Sequence, residues 1–171
     1  TAIGSNSLTL NSTGDLNTTI GTFSLQSNST GSANTAAGLS ALSHNTTGAT
    51  NSAFGADAAY SNTTGYSNVA IGIHTLLYNQ TSSNLVAVGD SSLLHNTDGR
   101  ANTAVGSKAL YSNSNGFHNT SLGFESLYFN AAGGENTALG YKALYHNTSG
   151  TNTAVGSLSL YSNANGSHNT A

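Results

Sequence analysis

Charge is nearly missing from this chain of 171 residues: Asp, Glu, Lys and Arg make up 5% of it, and its only cations besides histidine are Arg100, Lys108 and Lys142. A protein that binds nucleic acid by neutralising phosphates needs many more, so that class of partner is excluded. Cysteine is absent, which removes disulfides and thiolate metal sites and leaves the redox compartment open. No apolar run approaches the roughly 20 residues that cross a bilayer, so no membrane insertion is expected of this stretch.

What the chain has is repetition. The glycine of a T-A-V-G step recurs at Gly4, Gly21, Gly38, Gly55, Gly72, Gly89, Gly106, Gly123, Gly140 and Gly156, every 17 residues except for a last step of 16. A second glycine follows ten residues later in each unit, with Ser82 as the one substitute. Seven residues after each leading glycine stands an asparagine: Asn11, Asn28, Asn45, Asn62, Asn79, Asn96, Asn113, Asn130, Asn147 and Asn163. A short fixed period of this kind is the mark of a solenoid, in which each repeat touches only its neighbours. The chain opens at Thr1-Ala2-Ile3-Gly4 and closes at Asn169-Thr170-Ala171 in nearly the same phase, without atypical capping repeats. Residues 1–171 are therefore expected to be a single repeat array, a segment of a longer fibre.

Each unit alternates two apolar segments with two polar, glycine-bearing turns, as in Thr103-Ala104-Val105 and Lys108-Ala109-Leu110-Tyr111. Both segments are too short for a helix, and the glycines would penalise one by about 1 kcal/mol per site. The expected fold is all-β, a parallel β-solenoid of ten coils with two short strands per coil. Gly116 is expected to supply a positive φ in the Asn113–Gly116 turn, with Gly106 at the tighter corner. The core should hold Leu8, Leu25, Leu42, Leu76, Leu93, Leu110, Leu127, Leu144 and Leu160 from one strand. From the other it should hold the apolar column that includes Val105 and Val155. The invariant asparagines should stack as a ladder of side-chain amides.

Further columns then call for cover, because successive strand residues point to opposite faces. Beside the leucines stand Tyr60, Tyr111, Tyr128, Tyr145 and Tyr161, and on their other side small residues such as Ala109 and Ala143. Apolar side chains on both faces imply a second burial surface, which a homo-oligomer supplies most simply, with the tyrosine column as its interface. Thr9, Gln26 and Ser43 hold the tyrosine position in the first three coils, which should be looser there.

The N-T-A-V-G step followed by x-x-A-L-Y at 102–111, 136–145 and 152–161 resembles the head repeats of trimeric autotransporter adhesins, the YadA-like β-roll. It is also similar to NTAVG-x-x-ALYSNTTG arrays of bacterial surface and phage tail-fibre proteins. The resemblance implies a left-handed parallel β-roll, three chains side by side, and an extended rod on a cell surface or virion. The unit here is longer than the adhesin head repeat, and the shared positions are structural, so no binding residue is transferred.

No constellation for catalysis is present. The six acids are spread over several coils and columns, and Asp90 and Asp98 lie eight residues apart around one bend, unlike a facing glycosidase pair. His44, His95 and His146 share a column at intervals of 51 residues, or about 14 Å at three strand spacings, too far apart for one metal. No enzyme activity and no cofactor are expected. The N-x-S/T sequons arise from the turn consensus itself, and their asparagines are read as structural. The expected role is a structural or adhesive rod of an extracellular fibre, whose partners are itself and a host-surface or glycan ligand. Two alternatives remain: a subunit of a head-to-tail filament, and an ice-binding solenoid, the latter weakened by Ser52, Val69 and Val86 in its threonine column.

Overall fold

The computed structural model describes Thr1–Ala171 and is a β-solenoid with one strand per coil. The strands are β1 (Ala2–Ile3), β2 (Thr18–Ile20), β3 (Thr35–Ala37), β4 (Ser52–Phe54), β5 (Val69–Ile71), β6 (Val86–Val88), β7 (Thr103–Val105), β8 (Thr120–Leu122), β9 (Thr137–Leu139) and β10 (Thr153–Val155). They form one ten-stranded parallel sheet in sequence order. The register carries each repeat position onto itself, as in Ala104↔Ser121 and Val105↔Leu122.

The second apolar segment of each coil is not a strand, which corrects the expectation of two. Lys108 and Leu110 sit at φ 55° and 51°, in the left-handed region, and so do their counterparts in every coil. The backbone there still bonds from coil to coil, but its amides alternate in direction. Lys108 N–H donates to Asp90 O in the preceding coil (2.8 Å), whereas Leu110 N–H donates to Ser126 O in the following one (3.0 Å). Left-handed residues also undo the alternation of faces. Ala109 and Leu110 are consecutive and both fully buried.

The core is correspondingly thin. Leu25, Leu42, Leu76, Leu93, Leu110, Leu127 and Leu144 are buried as expected, and Leu8 and Leu160 pack partly against the ends of the same cluster. The strand contributes its middle residue: Ala36, Ala53, Ala70, Ala87, Ala104, Ala138 and Ala154 face inward. Val105 and Val155 therefore do not belong to the core. A three-residue strand with its centre inward must turn its first and third side chains outward, and Val155 is 59% exposed. Alanine fits at the centre because the opposing wall already supplies an alanine or serine and a leucine.

The two glycine columns serve different needs. Gly106 has φ +134°, and a Cβ on it would lie 2.5 Å from Gly123 O. Gly116 lacks a positive φ, contrary to the sequence reading. Its want of a side chain is steric, since a Cβ would lie 2.6 Å from Gly133 O and press on the Asn113 amide.

Candidate functional site

Inside each coil two asparagine columns hold the turn. Asn113 Nδ2 donates to Asn96 Oδ1 (2.8 Å) and to Gly116 O (3.1 Å). Asn102, from the second column, donates to the same carbonyl (2.7 Å). The invariant ladder is continuous from Asn11 to Asn163, as expected. Buried amides paired in this way are well stabilised, and the sequon asparagines among them spend their nitrogens on the ladder. In the 16-residue unit, Ser149 and not Gly150 takes the glycine place, its carbonyl accepting from Asn136 and Asn147.

The outer surface divides into three bands. Along the sheet, the first strand residues (Thr103 and its counterparts) and the third (Val105 and its counterparts) point outward. In the latter column Ile20, Phe54, Ile71 and Leu122 are between 41% and 50% exposed. Past the glycine corner lies the second band, where Phe124 stacks on Tyr141 (ring centroids 5.8 Å).

That band also carries the tyrosines, and it is more ordered than sequence reasoning expected. Tyr111, Tyr128, Tyr145 and Tyr161 stack in series at centroid distances of 4.9, 5.2 and 5.1 Å. Phe129 and His146 form a parallel stack beside them (5.3 Å). All five predicted tyrosines are half-buried. Tyr60 stands apart from the series and packs edge-on against His44. His95 and His146 likewise lie against tyrosines, which accounts for the histidine column without a ligand. No group of three or more metal-ligating side chains comes together.

Lys142 pairs with Glu125 (3.2 Å) and lies over the Tyr141 and Tyr145 rings. The hydrogen bond that Lys142 donates to the Glu125 carboxylate is the chief cause that raises the Lys142 pKa. Burial, more than neighbouring charge, raises Tyr128 and Tyr145 above the ordinary tyrosine value.

The third band is the turn face, and it is uniform except at two interruptions. In most coils one carbonyl accepts two or three successive amides of the preceding turn, as Ser114 O does from Thr97, Asp98 and Gly99 (3.0, 2.8 and 3.0 Å). At Gln80–Ser82 this pattern fails and a notch opens over Tyr66, Asp98 and Arg100. Nothing in the spacing signalled the notch except the two departures from consensus, Ser82 for glycine and Leu85 for asparagine.

The architecture places the chain among β-solenoid repeat proteins. No family model matches it, and no curated protein or solved structure matches it significantly. No helix is long and apolar enough to cross a membrane.

Proposed function

We propose that this chain is a rigid rod segment of an extracellular fibre, homotrimeric through the outer face of its sheet, and adhesive by repetition. The observation that carries the reading is the exposed apolar column on β1–β10. Ile3, Ile20, Phe54, Ile71, Leu122 and Val155 lie in register along one flat face, each more than 40% exposed. Contiguous apolar surface of that extent marks an interaction site on a soluble protein, and a second and third copy supply matching columns without new sequence. The tyrosine series flanks this face across the glycine corner, and we centre the proposed interface on the sheet with the tyrosines at its margin. Fifty ångströms of rod, at about 4.8 Å per coil, present any weak site at fixed spacing, and linked weak contacts gain by effective concentration.

Light scattering of the native chain tests the assembly. Three chains, reduced to one by Ile71→Asp with Leu122→Asp, are expected. A monomer with the Thr/Val face bare would favour the ice-binding alternative, to be read as thermal hysteresis, and very large assemblies would favour the filament.

A further inference from the structure

We infer that the notch in the turn face is a saccharide subsite, taking one hydroxyl-rich pyranose residue of a surface glycan between Tyr66 and Arg100. The inference rests on the adhesive reading and gives it a ligand class.

The notch exists because the coil from Gly72 to Val88 breaks the turn consensus twice. In neighbouring coils a Cβ at the second glycine would press on the next coil's carbonyl and its own asparagine amide. Ser82 has such a Cβ, and its carbonyl is held in place by Asn68 and Asn79 (2.9 and 3.1 Å). The displacement therefore falls on the residues before it. Gln80 and Thr81 donate their amides to no protein group, whereas the equivalent Thr63 and Thr64 both reach Gln80 O (2.8 and 3.2 Å). Only the Ser82 hydroxyl still reaches Thr97 O (2.9 Å). Leu85 cannot donate to the Gly99 carbonyl as asparagine does in the other coils, which loosens the same joint further.

Two hollows result, of about 330 and 350 Å³, meeting at Thr81 and Asp98. Their size is at the small end of ligand sites. The other interruption of the turn ladder, at Ala131 and Ala132 beside the 16-residue unit, opens no hollow. What lines this one is chemically mixed in the way a sugar requires. Tyr66 is 53% exposed and supplies an aromatic ring for the C–H face of a pyranose. Asp98, an acceptor only, and the Arg100 guanidinium, a donor only, meet hydroxyls that can do both. Arg100 is the sole arginine of the chain and forms no salt bridge. The free amide of Thr81 adds a donor where the hollows meet, and that of Gln80 adds one in the second hollow. One positive and one negative group leave the notch neutral overall, which favours an uncharged sugar over an acidic one.

A site for a single sugar should bind with a dissociation constant on the order of 1 mM. The test is an amide chemical-shift titration of the native chain with the methyl pyranosides of glucose, galactose and mannose, and with methyl glucuronide. Saturable shifts confined to Gln80–Asn84 and Asp98–Arg100, from at least one uncharged pyranoside, are expected. Ser82→Gly restores the consensus turn and removes a lining hydroxyl that is already committed to Thr97 O, while keeping Tyr66, Asp98 and Arg100. It should slow hydrogen exchange at Gln80 and Thr81 about tenfold and abolish the shifts, and Tyr66→Ala should abolish them while leaving the turn intact. No saturation with any probe, saturation with the glucuronide alone, or shifts that persist in both variants would overturn the site. The native mass of the same sample keeps the two readings apart: a trimer without shifts removes the sugar site only, and a monomer with shifts removes the trimer only.

Discussion

Glycine and asparagine recur in every coil, and at the level of single residues each is required by what it touches. Gly106 needs both its φ of +134° and its missing Cβ, while Gly116 needs only the missing Cβ. The recurrence of both columns was legible in the sequence, but their separate reasons were not, because a period reports that a position is constrained without reporting by what. The asparagine ladder was readable because an invariant amide in a stacked array has one obvious set of partners, its own copies. The Asn113 amide group uses both of its hydrogens, on Asn96 Oδ1 and Gly116 O. Replacing Asn113 by Asp removes both donors and places a carboxylate where burial disfavours its charged form. The expected loss is about 3 kcal/mol at neutral pH. Because the buried carboxyl binds its proton more tightly folded than unfolded, the deficit should shrink as pH falls through its raised folded pKa. Urea midpoints of the variant and the parent at pH 7 and pH 4 decide this. A deficit that is the same at both would mean that the carboxylate escapes to solvent and the ladder tolerates its absence.

A three-residue strand and a left-handed segment make up the apolar part of each coil, and the difference between them explains which core residues could be read. The leucine column stood out by its constancy. Which strand residue faces inward could not be read, since Thr-Ala-Val offers one small inward residue or a larger inward pair with equal alternation. The left-handed φ of Leu110 leaves no trace in a sequence of ordinary residues. Leu110→Ala should therefore cost about 3 kcal/mol by leaving a cavity. Val105→Ala, on the outer face, should cost about 1 kcal/mol or less in the separated chain. Equal losses in chemical denaturation would return the valine column to the core. The stacked tyrosines carry a pH dependence of definite sign. Tyr128 and Tyr145 have folded pKa values raised chiefly by burial, so the folded chain holds these protons more tightly than the unfolded one. Their contribution is complete below the ordinary tyrosine value near 10 and is lost as pH rises through the folded values. The urea midpoint should fall above about pH 10, and the double variant Tyr128→Phe, Tyr145→Phe should flatten that fall. A decline of the same size in the double variant would assign it to other groups, Lys142 first, whose raised pKa acts with the same sign.

Across the whole molecule, stability is a sum over coils and the joints between them, so the position of an inserted or deleted residue matters more than its identity. The chain has made one such experiment itself. Its single 16-residue unit shortens the turn, where Ser149 moves into the glycine place and both asparagine columns still reach its carbonyl. Beyond it β10 remains in register with β9, Ala154 opposite Ala138. The turn absorbs the change because its side chains outside the asparagine columns face solvent, and only the Asn113-type and Asn102-type amides must find a carbonyl. A strand has no such freedom. Deleting Ala104 would bring Val105 to the inward position and send the glycine that follows it out of its corner, because a shift of one residue exchanges the two faces. Deleting Asn115, in the turn of the same coil, should therefore cost on the order of 1 kcal/mol and leave the native mass and the circular dichroism per residue unchanged. Deleting Ala104 should abolish cooperative unfolding. Removing a complete unit, 103–119, joins Asn102 to Thr120 in the same phase and should yield a folded chain one coil shorter. If the turn deletion proved as damaging as the strand deletion, the coils would be locked by their turns as firmly as by their sheet. The notch at Gln80–Ser82 would then be a defect paid for in stability, instead of a place where the fold can afford to open.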